Sequence, residues 1–435
     1  MLISFSSPAA RLTRRVVLLL APICVGTGIS SCTLEATNPG PIQATSLDAP
    51  GALSALVAGS GRDLSEALNW TAYSGAAVAR EIFPSGSTGA FGITVQQLSG
   101  KLTNDDGGNW WNFSQRARWT SEDAVARAKV IVAATPTTAF RNSLTQAHIW
   151  AGFANRLLGE NFCQGVINGG APGPHTVYLE RAEANFTDAI AVAAANSNAT
   201  LAQVATAGRA SVRLLRGNLA GAATDAATVP NTFAYRMPYY QNELDQYNRI
   251  FWASGNQPYR AHTVWNTYIE THRRTTRDPR VPFDSSLTLL VGDAPVGNLG
   301  QVRWYFQTKH PALTSNINLV TGFEMRLIEA EAKLVDGDIS ATLALLNARR
   351  AALAVATLPP LTAATVSDAW TALKRERGIE LWLEGRRLGD LRRWATLNRP
   401  GLLDPKEEIP GRDVCFATPL SETETNPNFI KPSAP

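Results

Sequence analysis

Apolar residues recur at helical spacing along most of the chain. From Ala52 to about Phe83, and again from Ser121 to about Leu158, alanine-rich segments carry apolar side chains at intervals of three or four residues. Few alternating runs of β-branched residues, which would indicate strands, interrupt these segments. The pattern predicts a run of packed α-helices.

Two stretches repeat a helix–turn–helix pattern. In residues 179–226, Gly217 ends one helix and Asn218 can cap the next. In residues 328–346, the corresponding turn is Gly337-Asp338. Both resemble tetratricopeptide hairpins, which bury each other's apolar faces when they stack. Because the two copies are not adjacent in sequence, a long insertion must separate them.

The insertion, roughly residues 228–320, is rich in aromatic residues and is punctuated by Gly and Pro. Ten aromatic residues crowd its first part, namely Phe233, Tyr235, Tyr239, Tyr240, Tyr247, Phe251, Trp252, Tyr259, Trp265 and Tyr268. A second aromatic group follows the polar turn 104–108 and consists of Trp110, Trp111, Phe113 and Trp119. Loops on a rigid helical scaffold are common places for binding sites.

Length and composition support a large helical body. The chain has 435 residues, of which 45% are hydrophobic and 17% charged, so it can bury a sizeable core. We therefore expect a mostly α fold, a tetratricopeptide-like scaffold of helix pairs with an inserted irregular, loop-rich lobe. The expected segments are a signal peptide (1–31), a tether (32–50), an N-terminal helical scaffold (51–227), the inserted lobe (228–320) and C-terminal helix pairs with an irregular tail (321–435).

The first residues have the pattern of an export signal. Arg11, Arg14 and Arg15 precede the apolar run 16–25, which is too short to span a bilayer. The junction Ile29-Ser30-Ser31-Cys32 resembles a bacterial lipobox, which predicts that Cys32 is lipidated and becomes the mature N-terminus. The alternative is an ordinary signal peptide that is cleaved nearby.

Removal of the signal peptide changes the charge and the cysteine count. Loss of its three arginines lowers the formal net charge from +4 to +1, so the balance indicates no nucleic-acid partner. We find no other long apolar stretch, and expect membrane attachment through the lipid alone. Cys163 and Cys415 then remain in an oxidising compartment, where they either form a disulfide or stay as buried thiols.

The most specific motif lies at residues 373–394. Its blocks are Glu376-Arg377, Glu380-Leu381, Glu384-Gly385-Arg386 and Asp390-Leu391-Arg392-Arg393-Trp394. They closely resemble the C-terminal signature of the SusD/RagB family. Weaker agreement comes from residues 324–349, from Arg277-Asp278-Pro279-Arg280 and from Asn38-Pro39 after Cys32. The resemblance thus extends along nearly the whole chain, but only the C-terminal block is specific.

The resemblance implies a SusD-like fold and a nutrient-binding lipoprotein on the surface of the outer membrane. Such a protein would bind oligosaccharides, or less favourably peptides, and deliver them to a SusC-like TonB-dependent transporter. The alternative is a tetratricopeptide-type envelope lipoprotein that organises other proteins and binds no nutrient.

The acidic residues of the C-terminal block have a structural interpretation. Glu376, Glu380 and Glu384 are spaced to share one helix face, where they could hold a metal or do acid–base chemistry. Every acid, however, has an arginine at helical spacing, such as Arg377 before Glu380 and Arg386 before Asp390. The pattern favours an ion-pair network that fixes the last helix to the scaffold.

Catalytic motifs are missing from the sequence. There is no Gly-x-Ser-x-Gly elbow, zinc-binding His-Glu-x-x-His helix or phosphate-binding glycine loop. The histidines are scattered, at His148, His175, His262, His272 and His310. A pair of glycosidase carboxylates needs only to meet in space and stays a remote alternative. We expect no enzyme activity, no cofactor and no metal.

Aromatic side chains are the best candidates for ligand contact, because their flat faces suit the C–H faces of sugars. Trp150, Phe186, Trp370 and Trp382 lie in amphipathic helices and are expected in the core. The predicted ligand-binding residues are Trp70, Tyr73, Glu81, Asn109, Trp110, Trp111, Trp252, Tyr259 and Trp265. Arg80 and Asn256 are further polar candidates from their neighbourhood.

Overall fold

The structure is a computed structural model that describes residues 44–105, 108–255 and 259–429, without the side chain of Asn109. The signal peptide and the lipidated Cys32 lie outside these residues and stay predictions. The described residues belong to one compact unit, Gln43–Pro435. The predicted division of this unit at residues 227 and 320 also stays a prediction.

Helices make up most of the described chain, as the apolar spacing predicts. In chain order they are α1 Leu53–Val78, α2 Val95–Leu98, α3 Gly108–Ala134, α4 Thr138–Asn161, α5 Thr176–Ala195, α6 Ala199–Leu215, α7 Leu219–Ala227, α8 Arg249–Ser254, α9 Tyr268–Thr276, α10 Gly322–Val335, α11 Ile339–Ala352, α12 Val366–Glu380, α13 Arg387–Thr396 and α14 Leu420–Thr423. Phe186, Trp370 and Trp382 are buried in the core, and Trp150 is partly buried against it. The mostly α fold is confirmed.

The described strands are short and pair in antiparallel twos. They are β1 Phe83–Pro84, β2 Gln164–Gly165, β3 Gly173–Pro174, β4 Ala234–Met237, β5 His262–Thr263, β6 Phe283–Ser285, β7 Tyr305–Gln307 and β8 Ile317–Thr321. The pairs are β1 with β5, β2 with β3, β4 with β8 and β6 with β7. Two of these pairs, β1–β5 and β4–β8, connect distant parts of the chain.

The two predicted hairpins are confirmed as α6–α7 and α10–α11. Gly217 and Gly337 occupy the turns with positive φ. In each hairpin the next residue, Asn218 or Asp338, caps the following helix by accepting a hydrogen bond from a backbone N–H. The sequence therefore located both turns to the residue.

The helices stack in series. α1 packs on α3, α3 on α4, α4 on α5, α5 on α6 and α6 on α7, and α7 then packs on α10. The two hairpins that are far apart in sequence are thus neighbours in space. Since neighbouring hairpins bury each other's faces, the scaffold continues across the insertion.

β4 and β8, near the two ends of the insertion, pair with each other. Ala234 of β4 lies opposite Thr321, and Met237 lies opposite Ile317. Because β4 follows α7 and β8 precedes α10, this pairing returns the chain to the scaffold. A second pairing, Phe83 of β1 opposite Thr263 of β5, brings the insertion against the end of α1.

The prediction of one helix through the C-terminal block is wrong. α12 ends at Glu380 and α13 begins at Arg387. Leu383 and Gly385, with φ of 60° and 72°, turn the chain between the two helices. Glu384 consequently lies in this turn and shares no helix face with Glu380.

The predicted ion-pair network is present, but most of its partners are on other elements. Glu376 accepts hydrogen bonds from Arg280 at 2.8 Å and from Arg350 at 2.6 Å. Arg386, expected to pair with Asp390, donates to Glu160 at 2.7 Å. The break between α12 and α13 explains the difference, because it turns the arginines toward other helices. The network fixes the C-terminal block to the scaffold.

Arg377 also has a different partner from the predicted Glu380. It donates two hydrogen bonds to Asp390 of α13, whereas Glu380 accepts from Arg349 of α11.

In the part of the chain that the structure describes, no helix is both long enough and apolar enough to cross a membrane.

Candidate functional site

Three of the predicted ligand-binding aromatics come together from separate segments. Trp70 lies on α1, Trp252 lies on α8, and Tyr259 follows α8 in the insertion. The ring of Phe91 lies 5.6 Å from the rings of both Trp252 and Tyr259, and these two rings are 6.3 Å apart. We call Trp70, Phe91, Phe113, Trp252 and Tyr259 the aromatic cluster.

The cluster reaches the surface. Tyr259 exposes 42% of its area, Trp70, Phe113 and Trp252 are partly exposed, and Phe91 is buried beneath them. Edge-to-face contacts, with interplanar angles between 81° and 87°, hold Phe91, Trp252 and Tyr259. The rings are thus fixed by one another while part of their area stays accessible.

Asn69 positions the insertion against α1. Its side-chain amide, buried on α1, donates to the carbonyl of Tyr247 at 2.5 Å and accepts from the backbone N–H of Arg249 at 2.7 Å. Asn248 caps α8 by accepting from the N–H of Phe251 at 2.9 Å. These bonds fix the start of α8, and with it Trp252, beside Trp70.

The other side of Trp70 is also packed. Its ring stacks on Phe113 of α3, with 6.0 Å between centroids. Gly92 has a φ of 78°, and a Cβ there would lie 3.2 Å from Cζ3 of Trp70. Glycine therefore lets the segment with Phe91 turn close to the indole.

Arg249 is a member of the site that the sequence analysis did not identify. Its guanidinium lies 3.4 Å from the ring centroid of Trp70 and 5.8 Å from that of Trp252. An arginine in an aromatic-rich stretch gives no stacking signal by itself, and its neighbour Trp70 is distant in sequence. Phe91 was missed because it is a single phenylalanine in a short 3₁₀ turn, Thr88–Phe91, without a pattern of apolar residues around it.

Tyr73 and Glu81 lie in the core and not on a surface. The Tyr73 hydroxyl is 3.0 Å from Nδ1 of His262, and burial raises its pKa well above the usual value. The Glu81 carboxylate accepts from the N–H of Leu383 at 3.2 Å. Burial raises the pKa of Glu81 to about 8, against the lowering effects of that bond and of Arg387. Both side chains therefore contribute to the core and do not offer a surface to a ligand.

Trp110 and Trp111 are also buried, in the first turn of α3. Trp110 packs on Phe416 with 5.2 Å between ring centroids. Trp111 packs on Phe162 and donates its indole N–H to Glu422 at 3.1 Å. Their position after a polar turn suggested exposure, but the C-terminal tail covers them. The side chain of their neighbour Asn109 lies outside the described residues, as does Asn256.

Trp265 is partly exposed but is separate from the aromatic cluster in its ring contacts. It packs edge-to-face on Phe83, 5.5 Å between centroids, and the guanidinium of Arg80 lies over the same phenylalanine. Trp119, 55% exposed on α3, is a further accessible tryptophan outside the cluster. Neither residue contacts Trp252 or Tyr259 through its ring in the described structure.

Ionisable groups near these residues serve structural contacts. Burial lowers the pKa of His262 and of His310 to about 3, so both are neutral at physiological pH. His272 bonds to Asp278 at 2.9 Å. Among the described residues, no group of three or more His, Cys, Asp or Glu side chains is arranged to hold a metal ion.

Comparisons with known proteins agree with this architecture. The sequence profile of the SusD family matches residues 324–432. No curated protein matches the chain. A SusD superfamily protein from Bacteroides thetaiotaomicron superposes with a TM-score of 0.65 at 14% identity, covering 87% of this chain and 98% of the other.

Two further similar structures are connected with carbohydrates. A SusD-like carbohydrate binding protein from Bacteroides vulgatus has a TM-score of 0.57 at 14% identity, over 79% of this chain and 83% of its own. A structure with xylogluco-oligosaccharide has a TM-score of 0.60 at 14% identity, over 88% and 99%. At these identities the likeness shows the fold. The resemblance to the SusD/RagB family is thereby confirmed, since residues 324–432 match the family's sequence profile and the chain has the same fold as proteins described as SusD superfamily members.

Proposed function

We propose that this protein binds oligosaccharides at the aromatic cluster and delivers them to a SusC-like TonB-dependent transporter of the outer membrane, without catalysing a reaction. The lipid on Cys32 would hold it at that membrane, facing the cell surface. The observation that carries the proposal is that Trp252 and Tyr259 of the insertion pack edge to face, and that Arg249 lies over the rings of both Trp252 and Trp70. Partly exposed aromatic rings from the insertion and from α1 are thus brought close to one another.

The chemistry of the cluster suits a sugar. Partly exposed indole and phenol rings offer apolar faces to the C–H groups of a pyranose at little cost in conformational entropy, because packing already fixes the rings. Two solved structures with this fold are described as carbohydrate binding or as containing an oligosaccharide. These descriptions support a carbohydrate over a peptide.

Binding by the processed chain, residues 33–435, tests the proposal, since it retains the whole compact unit. Affinity electrophoresis and calorimetry against neutral and acidic polysaccharides and peptides should give saturable binding to a polysaccharide. Trp252→Ala should lower that affinity about tenfold or more, a loss of roughly 1–3 kcal/mol. Trp119→Ala is the matched control, because it removes an exposed tryptophan outside the cluster.

The outcomes separate the alternatives. Equal loss in both variants would exclude the cluster as the specific site. Cleavage products in the wild-type mixtures would contradict the non-catalytic part of the proposal. Binding to no polysaccharide or peptide would favour the envelope-scaffold alternative.

Delivery needs its own experiment. The lipidated protein, purified from outer membranes in mild detergent, should bring a TonB-dependent barrel with it. Absence of such a barrel after cross-linking in intact cells would contradict delivery and leave the binding proposal standing.

A further inference from the structure

Arg249 lies over the rings of two tryptophans of the aromatic cluster. Its guanidinium lies 3.4 Å from the ring centroid of Trp70 and 5.8 Å from that of Trp252. Contact with the face of an indole attracts a cation, and the planar guanidinium is well suited to this stacking. The cation therefore lies directly at the surface proposed to bind sugars.

Two carboxylates could neutralise Arg249: Glu66, whose charge acts on it, and Asp245, which lies four residues before it in the sequence. Both pair with other arginines. Glu66 accepts from Arg62 at 2.6 Å and from Arg116 at 2.5 Å. Asp245 pairs with Arg62. Glu66 favours the charged form of Arg249 at a distance but makes no ion pair with it.

Arg249 itself has no anionic partner among residues 44–105, 108–255 and 259–429. Its backbone N–H is bonded to Asn69, but its Nε is buried without a hydrogen-bond partner in this described part. Burial lowers the pKa of Arg249 to about 10, which keeps it charged at neutral pH. A partly buried cation without a counter-ion is costly, and an anion that arrives from solution would relieve that cost.

We infer that Arg249 is the anion-binding group of the aromatic cluster and that the ligand is an acidic oligosaccharide whose sugar carries a carboxylate. The guanidinium fork matches the two oxygens of a carboxylate, and stacking on Trp70 fixes its plane. Trp252 and Tyr259 would contact the apolar faces of the same or the next sugar. This inference rests on the proposed function and adds the ligand class to it.

Matched ligands test the charge directly. Calorimetry would compare oligomers of galacturonate, mannuronate and glucuronate with the same oligomers after reduction of their carboxyl groups to neutral alcohols. The wild-type processed chain should bind at least one acidic oligomer about tenfold more tightly than its reduced counterpart. That preference should weaken as salt rises, because the ion pair is partly accessible.

Variants assign the preference to one side chain. Arg249→Gln should reduce the preference for the acidic over the reduced oligomer about tenfold, whatever smaller change it makes in the binding of both. Arg274→Gln is the control, because Arg274 also stacks on aromatic rings, those of Phe283 and Tyr305, but is exposed and paired with Glu270. If Arg249→Gln does not fold, Arg249→Lys takes its place, because lysine keeps the charge without the planar fork and should also reduce the preference for the acidic oligomer.

Two results would overturn the inference. Equal affinity of the wild type for acidic and reduced oligomers would exclude recognition of charge, and an unchanged preference in Arg249→Gln would place the anion elsewhere. Neither result removes the proposed function, because Trp252→Ala should still weaken binding of the neutral oligomers. Loss of that effect, in contrast, would contradict the aromatic site itself.

Discussion

Arg377 of α12 and Asp390 of α13 face each other through two parallel hydrogen bonds of 2.9 Å, from Nε and one Nη to the two carboxylate oxygens. Both residues expose 1% of their area. Arg393 adds a third bond to the same carboxylate at 3.0 Å. Since α12 ends at Glu380 and α13 begins at Arg387, these bonds help to connect the two helices of the C-terminal block.

Asp390→Asn should destabilise the fold strongly. The change keeps the shape of the side chain but leaves the buried Arg377 without an anion and Arg393 with Glu331 alone, which costs about 3 kcal/mol or more in the free energy of unfolding. Denaturant unfolding of the processed chain measures it. Asp48→Asn is the control, because Asp48 is exposed and pairs with Arg127 at 2.5 Å, and its loss should cost less than about 1 kcal/mol. Similar losses in the two variants would contradict the role of the buried pair.

The same pair predicts a loss of stability in acid. Burial alone would raise the pKa of Asp390, but the charges of Arg377 and Arg393 outweigh it and lower the pKa to about 2. Because this value lies below that of an unfolded aspartate, about 4, the stabilisation is present above pH 4 and is lost as the pH falls toward 2. Melting curves across this range should show a steeper decline for the wild type than for Asp390→Asn.

Glu81→Gln should stabilise the protein at neutral and alkaline pH. Burial raises the pKa of Glu81 to about 8, and one carboxylate oxygen has no hydrogen-bond partner in the described structure. A carboxyl group whose folded pKa exceeds its unfolded pKa loses its contribution as pH rises from about 4 toward 8. Glutamine keeps the acceptor for Leu383 and carries no charge, so the gain should reach on the order of 1–3 kcal/mol at pH 8 and vanish near pH 4.

Melting temperatures of the wild type and Glu81→Gln at both pH values give the result. Glu180→Gln, a change at an exposed glutamate of α5, should alter stability little at either pH. A pH-independent difference between the wild type and Glu81→Gln would show that packing, and not ionisation, distinguishes them.

The scaffold was more predictable than the site because its signals are local. Helical spacing, Gly217 and Asn218 belong to one short stretch, and the structure places a turn and a cap there. Trp252 and Tyr259 were likewise suggested by the aromatic density of the insertion. Their meeting with Trp70 depends on Asn69 and on the two-residue pairing of β1 with β5, neither of which has a sequence signature.

Burial of aromatic residues was harder to foresee. Trp110 and Trp111 follow a polar turn, which favoured exposure, but the C-terminal tail folds back so that Phe416 and Glu422 cover them. The chain between the two groups is some three hundred residues long, and a contact of that range leaves no local pattern. The partners predicted for the ion pairs of the C-terminal block were wrong for a related reason. Helical spacing assumes one continuous helix and cannot reveal the break at Leu383.

Cys32→Ala should release the protein from membranes. The prediction follows from the lipobox-like junction, because a thioether-linked lipid requires the cysteine sulfur. Fractionation of cells should move the variant from the membrane to the soluble fraction, while Cys24→Ala, within the apolar run, should stay with the membrane. If both variants remain membrane-bound, Cys32 is not the lipid site; if the wild type is soluble, an ordinary signal peptide is the better interpretation.

Removal of the Cys163–Cys415 disulfide should lower stability without destroying the fold. The sequence left pairing open, and the structure joins the two residues, 252 positions apart, with 5.1 Å between their Cα atoms. The bond ties the tail to the end of α4 beside the paired Phe162 and Phe416. Because those phenylalanines are buried against Trp110 and Trp111, the packing should persist without it.

A double Cys163→Ser and Cys415→Ser variant should lose about 2–5 kcal/mol in the free energy of unfolding, since the denatured chain regains the freedom of a long loop. The processed wild type has no other cysteine, so titration of thiols in denaturant should give none before reduction and two after it. Reductant should lower the melting temperature of the wild type to that of the double variant and leave the variant unchanged. Free thiols in the unreduced wild type, or a melting temperature insensitive to reductant, would mean that the two cysteines are buried thiols and that packing alone holds the tail.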